Sequence, residues 1–265
     1  MTNIIPQSAA KAFDTNYKIG LIGTTDMKGD PHITLISTLK AKGDKQMIFG
    51  NFVVGESKKY LLSNPKTGFL VMTLDKDFWT GRMDYTGFLG NGEDHEAYNR
   101  TPLFRYNTYF GIDSVYYFDL KNISEGQALD MAGVIANSML VYAARHMHSK
   151  KNAKEGLSPW ALNLMQKMDT LCFISWHDKD GYPVIAPCIQ LQAADKSTLV
   201  LSEHPYSDML KSIEPGARVA VYASNLRFQS VMAKGCFSGF RNGLATINID
   251  RIYNPMPPKH GWLLD

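Results

Sequence analysis

Short apolar runs separated by Gly, Asp and Pro dominate the hydropathy pattern of this chain. In the first half, Ile19–Thr24, His32–Leu39, Gln46–Asn51, Gly68–Thr73, Arg82–Leu89 and Ser114–Leu120 read as strands, rich in β-branched and aromatic residues. A short helix near Ser57–Ser63 interrupts them. The second half offers Leu171–Trp176, Val184–Leu191, Thr198–Ser202, Arg218–Ala223, Gln229–Phe237 and Ala245–Tyr253, with a helix near Tyr206–Ile213. Between the halves the apolar spacing changes to three and four, which predicts helix. Ser124 is the expected cap of a helix over 125–149; after the polar break KKNAKEG, Ser158 and Pro159 open another over 158–167.

The two halves repeat each other. TDMKGDPHITLIS at 25–37 matches HDKDGYPVIAPCI at 177–189, and QMIFGN at 46–51 matches TLVLSE at 198–203. SKKYLLSNPKTGFLVM at 57–72 then matches SDMLKSIEPGARVAVY at 207–222, and Gly87 falls on Gly235. Several matches in one order predict a tandem duplication. Six short strands and one helix per copy suggest a small closed barrel, because closure removes exposed edges. The expected fold is mainly β (α+β): two tandem six-stranded split β-barrels with a helical connector. The expected segments are an N-terminal extension (1–16), a first barrel (17–123), the connector (124–167), a second, degenerate barrel (168–254) and a tail (255–265).

Composition narrows the function classes. At 45% hydrophobic residues the chain can build real cores. A net charge of +3 with no basic block argues against a nucleic-acid surface. The three cysteines are widely spaced and odd in number, against a disulfide framework or a zinc site. No signal-like apolar core stands in MTNIIPQSAAKAFD and no long apolar run follows, so a cytoplasmic protein without a membrane span is expected. His146 and His148 are two apart on a predicted helix, poor geometry for shared metal ligation. GNGEDHEAYN at 90–99 reads as a solvated loop, and the Pro-rich tail cannot form a helix.

The order GxP, two apolar strands, Gly-x-Ser-Lys-Lys at a helix start, Asn-Pro, then an apolar strand and a Gly-bearing strand resembles the FMN-binding split barrels of the pyridoxamine 5′-phosphate oxidase family. The stretches GFLVMTL and 86–124 also look like the small bacterial FMN-binding members. The resemblance covers about 17–124 well and the second copy more weakly. It implies FMN as cofactor, with Phe49, Gly50 and Asn51 at the strand end meeting the flavin and Ser57, Lys58 and Lys59 holding its phosphate. A helix start favours an anion independently, through its free N–H groups and dipole. Thr34, Ser37 and Thr38 would line the ring edge, and Arg82 would stand near the ring as a cation. Glu56 departs from the family pattern, and two lysines on an exposed helix face remain the plain alternative.

In the second copy Asp208 and Met209 replace Lys58 and Lys59, against a second phosphate site. In family dimers the flavin touches both barrels, so the tandem chain is expected to form an internal pseudo-dimer, with association of two chains left open. Trp176, His177, Tyr206 and Arg227 are the second-copy residues that such a site would use. The resulting expectation is an FMN flavoprotein passing electrons between a reduced donor and an unidentified acceptor, with a small-molecule substrate or redox partner. No catalytic acid or base is identified. The alternative is a noncatalytic module of the same fold that carries haem or deazaflavin, or no cofactor. True pyridoxamine phosphate oxidation is disfavoured, because RIYNPMPPKHGWLLD does not match the C-terminal segment that activity uses.

Overall fold

The computed structural model describes residues 2–52, 55–101, 111–150, 155–227, 229–256 and 261–264. It forms two antiparallel sheets. The first takes β1 (Lys18–Thr25), β2 (Pro31–Leu35), β3 (Lys40–Lys42), β4 (Gln46–Asn51), β5 (Lys66–Thr73), β6 (Asp77–Leu89) and β7 (Ser114–Ile123) in the order β2-β1-β5-β6-β7-β4-β3, with β8 (Gln127–Ala128) paired to β6. The second takes β9 (Leu171–His177), β10 (Pro183–Pro187), β11 (Gln192–Ala193), β12 (Thr198–Ser202), β13 (Arg218–Ser224), β14 (Ser230–Phe237) and β15 (Leu244–Asn254) in the corresponding order, with β16 (Gly261–Leu264) paired to β15.

Each order forces curvature. Edge strands β2 and β3 are joined only by residues 36–39, a link that spans at most roughly 17 Å. Laid flat, seven strands would separate those edges by roughly 29 Å. The sheet must therefore curl, and β10 and β11 impose the same on the second. The fold is a tandem pair of split barrels.

Hydrogen bonds record the duplication as clearly as strand order does. Ile36 N–H donates to the Gly20 carbonyl (2.7 Å), and Cys188 N–H to that of Cys172 (2.9 Å). The Thr38 hydroxyl donates to the Gly50 carbonyl (2.7 Å), and the Gln190 amide to that of Ser202 (2.8 Å). These bonds break each expected second strand: His32–Leu39 ends as β2 at Leu35, turns, and resumes as β3. The strand register also corrects one sequence match. Gly68 pairs with Arg82 and Ala220 with Lys234, and each cation precedes a bulge against the next strand. Lys234, not Ser230, is therefore the counterpart of Arg82: the Gly87–Gly235 match is displaced by four residues, and the strand part of the match of 57–72 with 207–222 by two.

One compact unit comprises Met1–Lys28, Thr34–Leu129 and Gly181–Val184, and the other Gly29–Ile33, Asp130–Asp180 and Ile185–Asp265. The core of the first unit gathers Ile22, Phe49, Phe69, Trp79, Met83 and Phe118. The sequence reading left the N-terminal segment without structure, but it supplies helix α1 (Gln7–Phe13). Phe13 is wholly buried, its ring edge-on to Phe69 and Trp79 at 6.3 and 5.6 Å. Helix α2 is Glu56–Ser63. The expected loop at 90–99 is largely helix α3 (Glu93–Arg100), with three acids in its first turn, Arg100 in its last and Tyr98 buried. Part of the neighbouring segment quoted for the family resemblance, 102–110, lies outside the described residues.

The second unit buries Phe173, Ile174, Val200, Val221, Met232 and Ile247. Its first helix begins later than expected. The Ser124 hydroxyl accepts from Thr80 N–H, and Gln127–Ala128 form strand. The cap is Asp130, whose carboxylate accepts from Gly133 N–H at 2.9 Å, and helix α4 runs Met131–Ala144 before a 3-10 turn at Arg145–His148. Helix α5 (Pro159–Met165) starts as expected, with the Ser158 hydroxyl accepting from Ala161 N–H. Helix α6 is only Ser207–Leu210. In the tail, Gly261–Leu264 forms the strand β16, while 257–260 lie outside the described residues.

Truncating Phe13 leaves a cavity against two aromatic rings. Phe13→Ala is expected to cost about 3–5 kcal/mol in urea unfolding. A loss under about 1 kcal/mol, the size of an average surface change, would mean that α1 is only an appendage.

Candidate functional site

The end of β4 is fixed from several sides. Its residues pair with β7, Gly50 opposite Val115 and Asn51 opposite Ser114. Gly50 also receives the Thr38 hydroxyl on its carbonyl, and a Cβ there would come within 2.7 Å of Ile112. Glycine therefore suits the position for packing. Tyr98 braces the same turn, its hydroxyl donating to the Thr38 carbonyl at 2.8 Å.

This frame presents a buried polar group of side chains. Asn51 is 2% exposed, and among the described residues neither its amide nitrogen nor its amide oxygen has a hydrogen-bond partner. Ser57, in the first turn of α2, is 1% exposed, and its hydroxyl likewise has none. Buried polar atoms are nearly always paired, so three orphaned atoms bracketing one strand–helix junction are unusual. Gly55, the N-cap of α2, supplies no side-chain cap. Lys58 is also buried, its ammonium 5.9 Å from the centre of the Phe49 ring. Burial pushes its pKa down from 10.5 to about 8, because desolvation penalises the charged form.

Lys59 behaves differently. It is exposed and bonds Glu56 across one helical turn at 2.8 Å. Glu56 also meets the Tyr60 hydroxyl at 3.4 Å. Glu56, the departure from the family pattern, is thus engaged along its own helix, with Lys59 alongside it.

The remaining candidates scatter. Phe49 is wholly buried in the core and stacked on Tyr116, with ring centres 4.9 Å apart, so its side chain serves packing. Thr38 spends its hydroxyl on Gly50. Thr34 is half-buried on β2, and Ser37 is exposed in the following turn. Ser37 and Thr38 line a cavity of about 50 Å³ with Lys18, Lys40 and Tyr98. That is far below the several hundred Å³ of a typical ligand pocket. Lys18 there is held down to about pKa 8, chiefly by burial. Arg82 is half-buried, its guanidinium 5.6 Å from the centre of the Tyr182 ring, with which Lys66 also makes a cation–π contact. A larger open cleft of about 650 Å³, lined by Lys11, Tyr17, Leu74, Asp75 and Trp79 among others, touches none of the predicted residues.

In the second unit Trp176 and Tyr206 are buried, His177 is half-buried and Arg227 is exposed. Burial raises the Tyr206 hydroxyl well above its usual range. Sequence reasoning missed Lys234, the wholly buried residue at the position of Arg82, because the match through Gly87 and Gly235 is four residues out of register. Among the described residues, no cluster of three or more His, Cys, Asp or Glu could hold a metal, and no helix is long and apolar enough to cross a membrane.

No protein-family model matches the chain, and no curated protein matches it. Solved structures do. An FMN-binding protein from Syntrophomonas wolfei is similar over 46% of this chain and 84% of its own, at 22% identity and a TM-score of 0.39. HupZ of Group A Streptococcus is similar over 45% of this chain and 91% of its own, at 16% identity and a TM-score of 0.37. An F420 reductase is similar over 45% and 98%, at 13% identity and a TM-score of 0.37. Each of these chains matches slightly less than half of this one.

The burial of Lys58 makes a pH-dependent prediction. Between about pH 8 and 10.5 the unfolded chain keeps a proton that the folded chain has lost, so stability rises with pH across that window. Lys58→Met removes this dependence. The stability difference between wild type and Lys58→Met is expected to change by roughly 3 kcal/mol from pH 7 to pH 10.5, with the variant ahead at pH 7. A constant difference would place the ammonium in water.

Proposed function

We propose that the chain is an FMN-binding flavoprotein whose first barrel takes the cofactor phosphate at the junction of β4 and α2. The observation that carries the reading is the set of orphaned buried atoms there, the Ser57 hydroxyl and the Asn51 amide. A phosphate has several strong acceptor oxygens and would satisfy the Ser57 O–H and the Asn51 N–H groups together. Lys58 adds the charge. Its depressed pKa reflects desolvation, and an anion beside it would favour the protonated form. The dipole at the α2 start favours the same sign.

Of the two lysines, Lys58 takes the phosphate role and Lys59 neutralises Glu56. Gly50 and Thr38 hold the strand end so that Asn51 faces the site. Thr34, Ser37 and Arg82 are the remaining candidates for contacts to the ring, with Arg82 favouring negative charge there through its guanidinium. FMN, when bound, supplies electron transfer, and on this reading the protein is an oxidoreductase acting between a reduced donor and an acceptor. All three cysteines are free thiols, which fits a reducing, cytoplasmic setting.

Titrating FMN and riboflavin into wild-type, Lys58→Met and Lys59→Ala proteins tests the assignment. A charge-assisted hydrogen bond contributes about 1.5–3 kcal/mol, so Lys58→Met is expected to weaken FMN about ten- to hundredfold. Lys59→Ala should change it by less than about threefold, and riboflavin should respond to neither. Equal losses for FMN and riboflavin, or no loss for either, would move the phosphate elsewhere. A Soret band in the purified protein would point instead to haem.

A further inference from the structure

Helix α4 is apolar on both sides. Its 14 residues, MAGVIANSMLVYAA, include no charged side chain. Val134, Ser138, Val141 and Ala144 face inward and are buried, and the Gln192 amide donates to the Ser138 carbonyl at 3.0 Å. The outward face carries Ile135, Met139, Leu140, Tyr142 and, in the turn beyond, Met147, each between 48% and 78% exposed. Ile135, Met139 and Tyr142 follow the three- and four-residue spacing of one stripe. Surface helices normally present charge to water, whereas a helix apolar all round belongs in an interior.

We infer that this face is an interface between two copies of the chain, with the α4 helices packed antiparallel about a two-fold axis near Met139. Area and charge favour this occupant. The five exposed side chains offer roughly 600 Å² of surface, at the upper limit for a monomer's largest apolar patch and close to the roughly 800 Å² per partner of a stable complex. Charge is confined to the ends: Asp130 caps the N-terminal end, while Arg145, His146 and His148 follow the C-terminal end. Antiparallel packing sets the acidic end of each helix beside the basic end of the other, and sets the helix dipoles in opposition. It is also self-complementary, as a two-fold interface requires. Exposed Ala136 and Ala143 leave room for helices to approach to the usual 8–10 Å. A membrane surface fits less well, because interfacial helices carry Lys or Arg along their polar flanks and α4 carries none.

This inference does not depend on the cofactor. Sedimentation equilibrium of the full chain across the micromolar range tests it, with Met139→Lys, Met139→Glu and Met139→Ser beside the wild type. Wild type is expected at the mass of two chains. Met139→Lys sets like charges together at the axis and should raise the dissociation constant by at least about thirtyfold. Its near-ultraviolet circular dichroism should stay that of the wild type, because the side chain is exposed. An equimolar mixture of Met139→Lys and Met139→Glu should regain the two-chain mass. Should the charged variants fail to fold, Met139→Ser carries the same expectation of weaker association. A wild type at the mass of one chain throughout would overturn the inference, and so would folded variants that associate as tightly as wild type. Binding of a single-chain wild type to phosphatidylserine vesicles, lost in Met139→Lys, would overturn it in favour of a membrane surface.

Discussion

The hydrogen bond from the Thr38 hydroxyl to the Gly50 carbonyl fixes the part of the molecule on which the functional reading depends. A carbonyl near the end of a strand needs a partner, and a buried one costs stability if it lacks it. The turn after β2 supplies that partner at 2.7 Å, and Tyr98 braces the turn from the other side. The consequence is a strand end held in place while Asn51 and the first turn of α2 keep buried polar atoms without partners. The second barrel uses the same device between Gln190 and Ser202. There it leads to a four-residue helix with Asp208 in its first turn, so one frame supports a polar seat in one copy and not in the other.

Strands were legible in the sequence because alternation and turn residues leave a strong local signal. Gln46–Asn51 and Thr198–Ser202 have the expected bounds. The duplication was legible because both copies need the same turns. Its register was not: the sequence match sets Ser230 against Arg82, four residues before Lys234, and only hydrogen-bond partners link Arg82 to Lys234. Helix α3 was hidden because Tyr98 is its single buried residue, and a helix built from acids and a terminal Arg carries little apolar period. Helix α1 was hidden for a related reason, since two positions, Ala9 and Phe13, do its burying. Ser124 looked like a cap because sequence spacing cannot reveal that its hydroxyl is taken by Thr80 across the sheet.

At the site the sequence could name a cluster but not the direction of each side chain. Ser57, Lys58 and Lys59 are consecutive, so they point about 100° apart around the helix. Two turn inward and one turns out. Glu56 departs from the family pattern; in the fold it pairs with Lys59, and Lys58 is the buried lysine of the two. Phe49 and Thr38, which the family resemblance assigns to the cofactor, serve the core and the strand end.

The central claim is that a phosphate group sits beside the Lys58 ammonium. With no ligand bound, Lys58 is half-protonated near pH 8, and a neighbouring dianion would complete its protonation. Calorimetry of FMN binding at pH 8, repeated in buffers of different ionisation enthalpy, measures the protons taken up. The account predicts uptake of roughly half a proton per FMN, absent with riboflavin and absent in Lys58→Met. FMN binding with no more proton uptake than riboflavin would contradict it.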